Sequence, residues 1–94
     1  MDRVELIRER LSGALDPEHL EIIDDSHRHA GHAGAAGGGG HFTVIIVSEK
    51  FAQQKSLMRH RLVYQAVTDL MPSQIHALSI NAMTPEEYQV KAGA

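Results

Sequence analysis

Residues 26–40 consist of Gly, Ala and His with one Ser and one Arg, and they close on four consecutive glycines at 37–40. Such a stretch offers no large apolar side chain to a core, and glycine loses the most entropy on ordering. It therefore reads as a flexible Gly/His-rich loop at 26–40, longer than ordinary hairpin loops, and long loops in compact domains are functional or disordered. The pieces on either side must then build one core between them. With 94 residues, a single domain over 1–94 is the expectation, too small for two cores or for a large catalytic cavity.

The flanking pieces have clear periodicities. Val4, Ile7, Leu11, Ala14 and Leu15 recur at helical spacing, and Asp16-Pro17 ends that helix. Residues 20–25 are short and β-branched, predicting a strand. His41 to Ser48 predicts a second one, its continuous apolar run suggesting burial on both faces. Residues 56–71 predict a long helix with Arg59, Leu62, Val63, Ala66, Val67 and Leu70 inward, stopped by Pro72. Ile75 to Ala82 predicts a third strand, with His76, Leu78, Ile80 and Ala82 alternating against Ala77, Ser79 and Asn81. Thr84-Pro85-Glu86-Glu87 is a capping box with Pro at the first helical position, opening a short last helix that ends near Val90.

The order is α-β-β-α-β-α, with a turn or short helix before the second long helix. A hairpin makes the first two strands antiparallel, and a helical crossover makes the second and third parallel. The expected fold class is α+β: a three-stranded mixed sheet covered on one face by helices, with an edge strand left to pair with a partner.

Composition removes whole classes of chemistry. Without Cys there are no disulfides, no thiol nucleophile and no iron–sulfur cluster held by this chain's own thiolates. Nine Lys and Arg against twelve Asp and Glu give a net charge of −3, the opposite of a generic nucleic-acid binder. The charge is segregated, however. Residues 16–25 carry Asp16, Glu18, Glu21, Asp24 and Asp25 without a Lys or Arg, and residues 50–68 carry Lys50, Lys55, Arg59 and Arg61 without an acid. The N-terminus lacks the apolar run of a signal peptide and no stretch is long enough to span a membrane, so the expected compartment is cytoplasmic.

Any metal must lean on nitrogen or carboxylate donors, and four of the seven histidines, His27, His29, His32 and His41, lie close together in sequence. They suit a transition metal, and equally they suit a solvated loop. His60 falls at the border of a helical apolar stripe, which fits a ligand or switch as well as a histidine that caps the core edge. His19 and His76 read as structural or solvated. Lys55, Arg59 and Arg61 around a helix start fit phosphate contacts, or a partner-docking face. No nucleophile elbow, phosphate cradle or distinguishable carboxylate pair appears, so the chain is not expected to be an enzyme.

The stretch Phe51-Ala52-Gln53-Gln54-Lys55-Ser56-Leu57-Met58-Arg59-His60-Arg61-Leu62-Val63-Tyr64, with His41-Phe42 before it and His76-Ala77-Leu78-Ser79-Ile80 and Thr84-Pro85-Glu86-Glu87 after it, resembles the BolA family over roughly residues 3–90. The resemblance implies a fold akin to class II KH domains and partnership with a monothiol glutaredoxin, with a 2Fe–2S cluster bridged between glutaredoxin with glutathione and BolA side chains. It implies His60 as the family's C-terminal ligand and His29 as the loop ligand, with His32 as its competitor and His41 matching the family's His-Phe at the strand start. The cluster would serve trafficking or iron and redox sensing, and the isolated chain would be a monomer or weak homodimer. The same resemblance suggests an alternative, a DNA-binding regulator of stress response and cell morphology using Lys55, Arg59 and Arg61. Two departures stand out: Gln53 occupies a usual Gly position, and no Gly-x-x-Gly lies between 49 and 56.

Overall fold

The computed structural model describes residues 2–26 and 39–93. Helix α1 (Arg3–Leu15) opens on Asp2, whose carboxylate accepts from the Glu5 amide at 2.8 Å. It closes with Asp16 in the left-handed region, φ 44°, whose N–H donates to the Ser12 carbonyl. Its Ile7, Leu11 and Leu15 are buried, one per turn along a single stripe.

Strand β1 (His19–Asp24) pairs antiparallel with β2 (Gly40–Val47), and β2 pairs parallel with β3 (Ile75–Met83), giving the order β1-β2-β3. A short 3-10 turn at Glu49–Phe51 leads into α2 (Ser56–Ala66), a second at Thr68–Leu70 leads towards β3, and α3 (Pro85–Gly93) follows. The α+β order and the mixed sheet agree with the sequence reading.

The core lies between the helices and one face of the sheet. Phe42, Val44 and Ile46 of β2 meet Ile7, Leu11 and Leu15 of α1, Val63 of α2, and Val67, Leu70, Ile75 and Leu78. Buried Ser48 ties the layers at one end: its hydroxyl donates to the Leu15 carbonyl at 2.6 Å and accepts from the Lys50 amide at 3.1 Å. A buried hydroxyl satisfied on both counts avoids a desolvation cost of about 1–3 kcal/mol.

Three expectations need correction. Helix α2 ends at Ala66, not at residue 71. Val67, Thr68 and Asp69 are poor helix formers, and the 3-10 turn that replaces the helix sets Val67 and Leu70, three apart, onto one buried side. Strand β2 is fully buried along one face only, the one that helices α1 and α2 cover. On the other, Thr43 and Ile45 are half-buried and burial is complete only at Val47, whose cross-strand partner His19 is stacked on Tyr88 of α3. The simple alternation of β3 fails at its start. Gly40 pairs with Ile75 and His41 with Ala77, so a bulge takes up residue 76. Ile75 is thereby buried, and His76 turns out to solvent instead of following Leu78 inward.

Of the loop expected at 26–40, residues 27–38 lie outside the described residues, and with them His27, His29 and His32. Its described ends, Ser26 and Gly40, are neighbours: a Cβ on Gly40 would sit 2.6 Å from the Ser26 Oγ. Among the described residues, no helix is long and apolar enough to cross a membrane.

Candidate functional site

The parallel pairing of β2 with β3 fixes the geometry at the loop's end of the sheet. His41 sits at the start of β2, its amide donating to the Ser26 Oγ at 3.1 Å while its carbonyl accepts from the Asp25 amide at 2.8 Å. His76 projects from the bulge on the adjacent strand. The two imidazole rings meet with centroids 5.3 Å apart and planes tilted by 46°.

Gly39 presses the loop's exit against this pair. A Cβ there would lie 2.6 Å from the Pro72 carbonyl oxygen and 2.8 Å from the His76 Cβ, so only glycine lets the chain pass so close. Both described ends of the His-rich loop therefore border the two rings. Nitrogen donors of this kind suit transition metals, and neutral imidazole is the ligating form. Among the described residues, no three His, Asp or Glu side chains gather into a metal set.

His60 stands elsewhere. The Tyr64 hydroxyl donates to the Leu78 carbonyl at 3.1 Å and Arg59 donates to the Ala82 carbonyl at 3.2 Å, so α2 runs antiparallel to β3. His60 lies one turn beyond Tyr64 on the side away from His76. One helical turn plus two strand residues separates the two by about 12 Å along the sheet. The half-buried position expected for His60 at the stripe's border is observed, but the structure does not bring it to the imidazole pair.

The basic run divides as well. Arg59 donates to Glu87 at 2.6 Å, to the Gln54 carbonyl at 2.8 Å and to the Ala82 carbonyl, and its side chain is only 14% exposed. Glu87 also accepts from the Thr84 amide at 2.8 Å, completing the capping box. The Arg59 hydrogen bond first, and the Thr84 amide second, hold the Glu87 carboxyl down to about 2. Arg59 thus locks α3 to α2, whereas Lys55 and Arg61 remain exposed.

His19 is structural: its ring stacks on Tyr88 of α3 at 4.9 Å, with Glu21 3.5 Å away. The sequence reading missed the His41–His76 contact and the capture of Arg59 by Glu87. Both depend on register between distant segments. The one local signal was the capping box, which already placed Glu87 at a fixed point of α3.

Fold and site together define a small α+β module, a helix-backed mixed sheet with paired imidazoles at the end from which a His-rich loop leaves. A family model described as BolA-like protein matches residues 11–87, and the chain belongs to that family. It is 46% identical over 86 residues to SufE-like protein 1, chloroplastic/mitochondrial, of Arabidopsis thaliana, covering 86% of this chain and 23% of that protein. To the DNA-binding transcriptional regulator BolA of Escherichia coli it is 35% identical, covering 90% of this chain and 78% of the regulator. The solved BolA domain of SufE1 from Arabidopsis thaliana superposes with a TM-score of 0.80 at 45% identity, covering 93% of this chain and 96% of that domain. The chain spans less than a quarter of the first of these relatives and 58% of BolA-like protein 1 of Mus musculus.

Proposed function

We propose that the chain is an iron–sulfur partner protein that joins a monothiol glutaredoxin and co-ligates a bridging 2Fe–2S cluster for trafficking or for iron and redox sensing. The observation that carries this reading is the His41–His76 contact beside both described ends of a Cys-free loop holding His27, His29 and His32. The chain would supply imidazole, and the glutaredoxin with glutathione the thiolates. Imidazole in place of thiolate reduces negative charge on the cluster and raises its potential, which suits transfer or sensing.

Exposed His76 is the first ligand in this proposal, with His29 or His32 as the second, and His41 supporting His76 through ring contact. His60, the candidate from family resemblance, is the comparison. Visible circular dichroism of the chain mixed with cluster-loaded glutaredoxin tests the assignment. His76→Ala is expected to change the spectrum and His60→Ala to leave it as in the wild type. The reverse result restores His60, and a wild-type mixture with the spectrum of glutaredoxin alone overturns the partnership. The proposal does not depend on compartment: cytoplasmic by the sequence reading, it would hold equally in the organelles named for the Arabidopsis relative.

A second reading, a DNA-binding regulator of stress response and cell morphology, is favoured by the name of the Escherichia coli relative. With Arg59 held by Glu87, it rests on Lys55 and Arg61. Two phosphate contacts give a salt slope of only about −1.8 in log K against log salt. A steeper slope, lost on reversing Lys55 and Arg61, is the result that would promote it.

A further inference from the structure

The first turn of α2 presents Leu57 and Met58 at 67% and 41% exposure, large apolar side chains on a small domain that buries most of its others. They line one groove together with Gln53, Gln54, Lys55 and Arg61, and no carboxylate belongs to it. Between Glu49 and Asp69 the sequence contains no acid at all, on a chain whose net charge is −3. Arg10 and Arg59 are paired with carboxylates, whereas neither Lys55 nor Arg61 has such a partner among the described residues. The first turn of α2 also lacks an acidic residue and a side-chain cap, which adds to the positive potential there.

We propose that this groove docks an acidic segment of a partner protein, with an aliphatic side chain seated against Leu57 and Met58 and flanking carboxylates against Lys55 and Arg61. Charge complementarity selects an anionic occupant. The apolar pair at the centre then selects protein over nucleic acid, since phosphates gain nothing from Leu57, whereas interface cores are enriched in adaptable Met flanked by charge at the rim. A second copy of this chain is a poor fit. Its own acidic run does expose one aliphatic side chain, Ile23, but on a strand already paired with β2. Asp24 and Asp25 beside it are engaged by the Ser26 amide and the Thr43 hydroxyl, so it is not a free segment that could lie in the groove. The groove is separate from the imidazole pair, so this inference stands independently of the cluster reading.

Backbone amide NMR of the full chain tests it. The probes are a capped eight-residue peptide of six acidic residues and two leucines, the same peptide with glutamine for every acid, and a 20-base-pair DNA duplex. The acidic peptide is expected to shift the amides of residues 55–61. Lys55→Glu with Arg61→Glu should weaken it at least tenfold, and Leu57→Ser, at a solvent-exposed position, at least fivefold with the spectrum elsewhere unchanged. The glutamine peptide should bind at least tenfold more weakly. No shifts at 55–61, equal binding of the two peptides, or indifference to Leu57→Ser would each overturn the proposal. So would tighter binding of the duplex than of the acidic peptide, or shifts at 55–61 on raising the protein concentration alone. Glutaredoxin and cluster are absent from all these samples, so failure here leaves the cluster reading untouched, and loss of the cluster spectrum leaves this one untouched.

Discussion

Gln53 takes φ 63°, the left-handed region in which a side chain costs about 1–2 kcal/mol, at the position where the family resemblance expects glycine. The turn into α2 is therefore kept and its strain is carried by Gln53. Gln53→Gly should raise stability by about 0.5–1 kcal/mol, the strain relieved exceeding the added chain entropy, as a higher urea midpoint at unchanged slope would report. At Glu87, the folded carboxyl is held at about 2 against an ordinary 4.5. A depressed carboxyl stabilises the fold above its unfolded value and loses that contribution as pH falls through its folded one. Because Glu87 is solvent-exposed, its ion pair and cap together are worth about 0.5–1 kcal/mol. Thermal midpoints of the wild type and Glu87→Gln should thus differ at neutral pH and converge between pH 4.5 and 2.

The order of the elements was legible because Ile7, Leu11 and Leu15 repeat at helical spacing, the β2 run is β-branched, and Thr84 with Glu87 marks the last helix start. What was not legible is set by contacts across the chain. The bulge that turns His76 outward exists because Gly40 pairs with Ile75, and the end of α2 at Ala66 comes with Asp69 bonded to Arg10 at 2.9 Å. Nor does any sequence spacing announce that β2 and β3 start side by side, the contact on which the proposed role of His76 rests. Two substitutions test these elements. Gly39→Ala forces a Cβ against the Pro72 carbonyl oxygen and should cost about 1–3 kcal/mol while shifting the His76 ring resonances. Tyr64→Phe leaves the Leu78 carbonyl on the outer edge of β3 without its donor and should lower stability by about 0.5–1.5 kcal/mol in urea titration. The free edge strand expected from sequence is thus partly shielded by α2, through Tyr64 and Arg59.

The whole molecule measures 39 × 28 × 25 Å and keeps its unlike surfaces at opposite ends of the sheet. The paired imidazoles stand where β2 and β3 begin, and α2 starts only after β2 has ended, with the Ser48 amide bonded to the Met83 carbonyl at the far side. Eight strand residues separate these ends by about 25 Å. At that separation, changes at the two places should add without coupling. The urea-measured destabilisation of His76→Ala combined with Leu57→Ser should equal the sum of the single effects within about 0.5 kcal/mol. The antiparallel run of α2 along β3 has a consequence for traffic. On the two proposals made above, a partner at each pole would be held without shadowing the other, and a domain of this size would then work as a coupling rod.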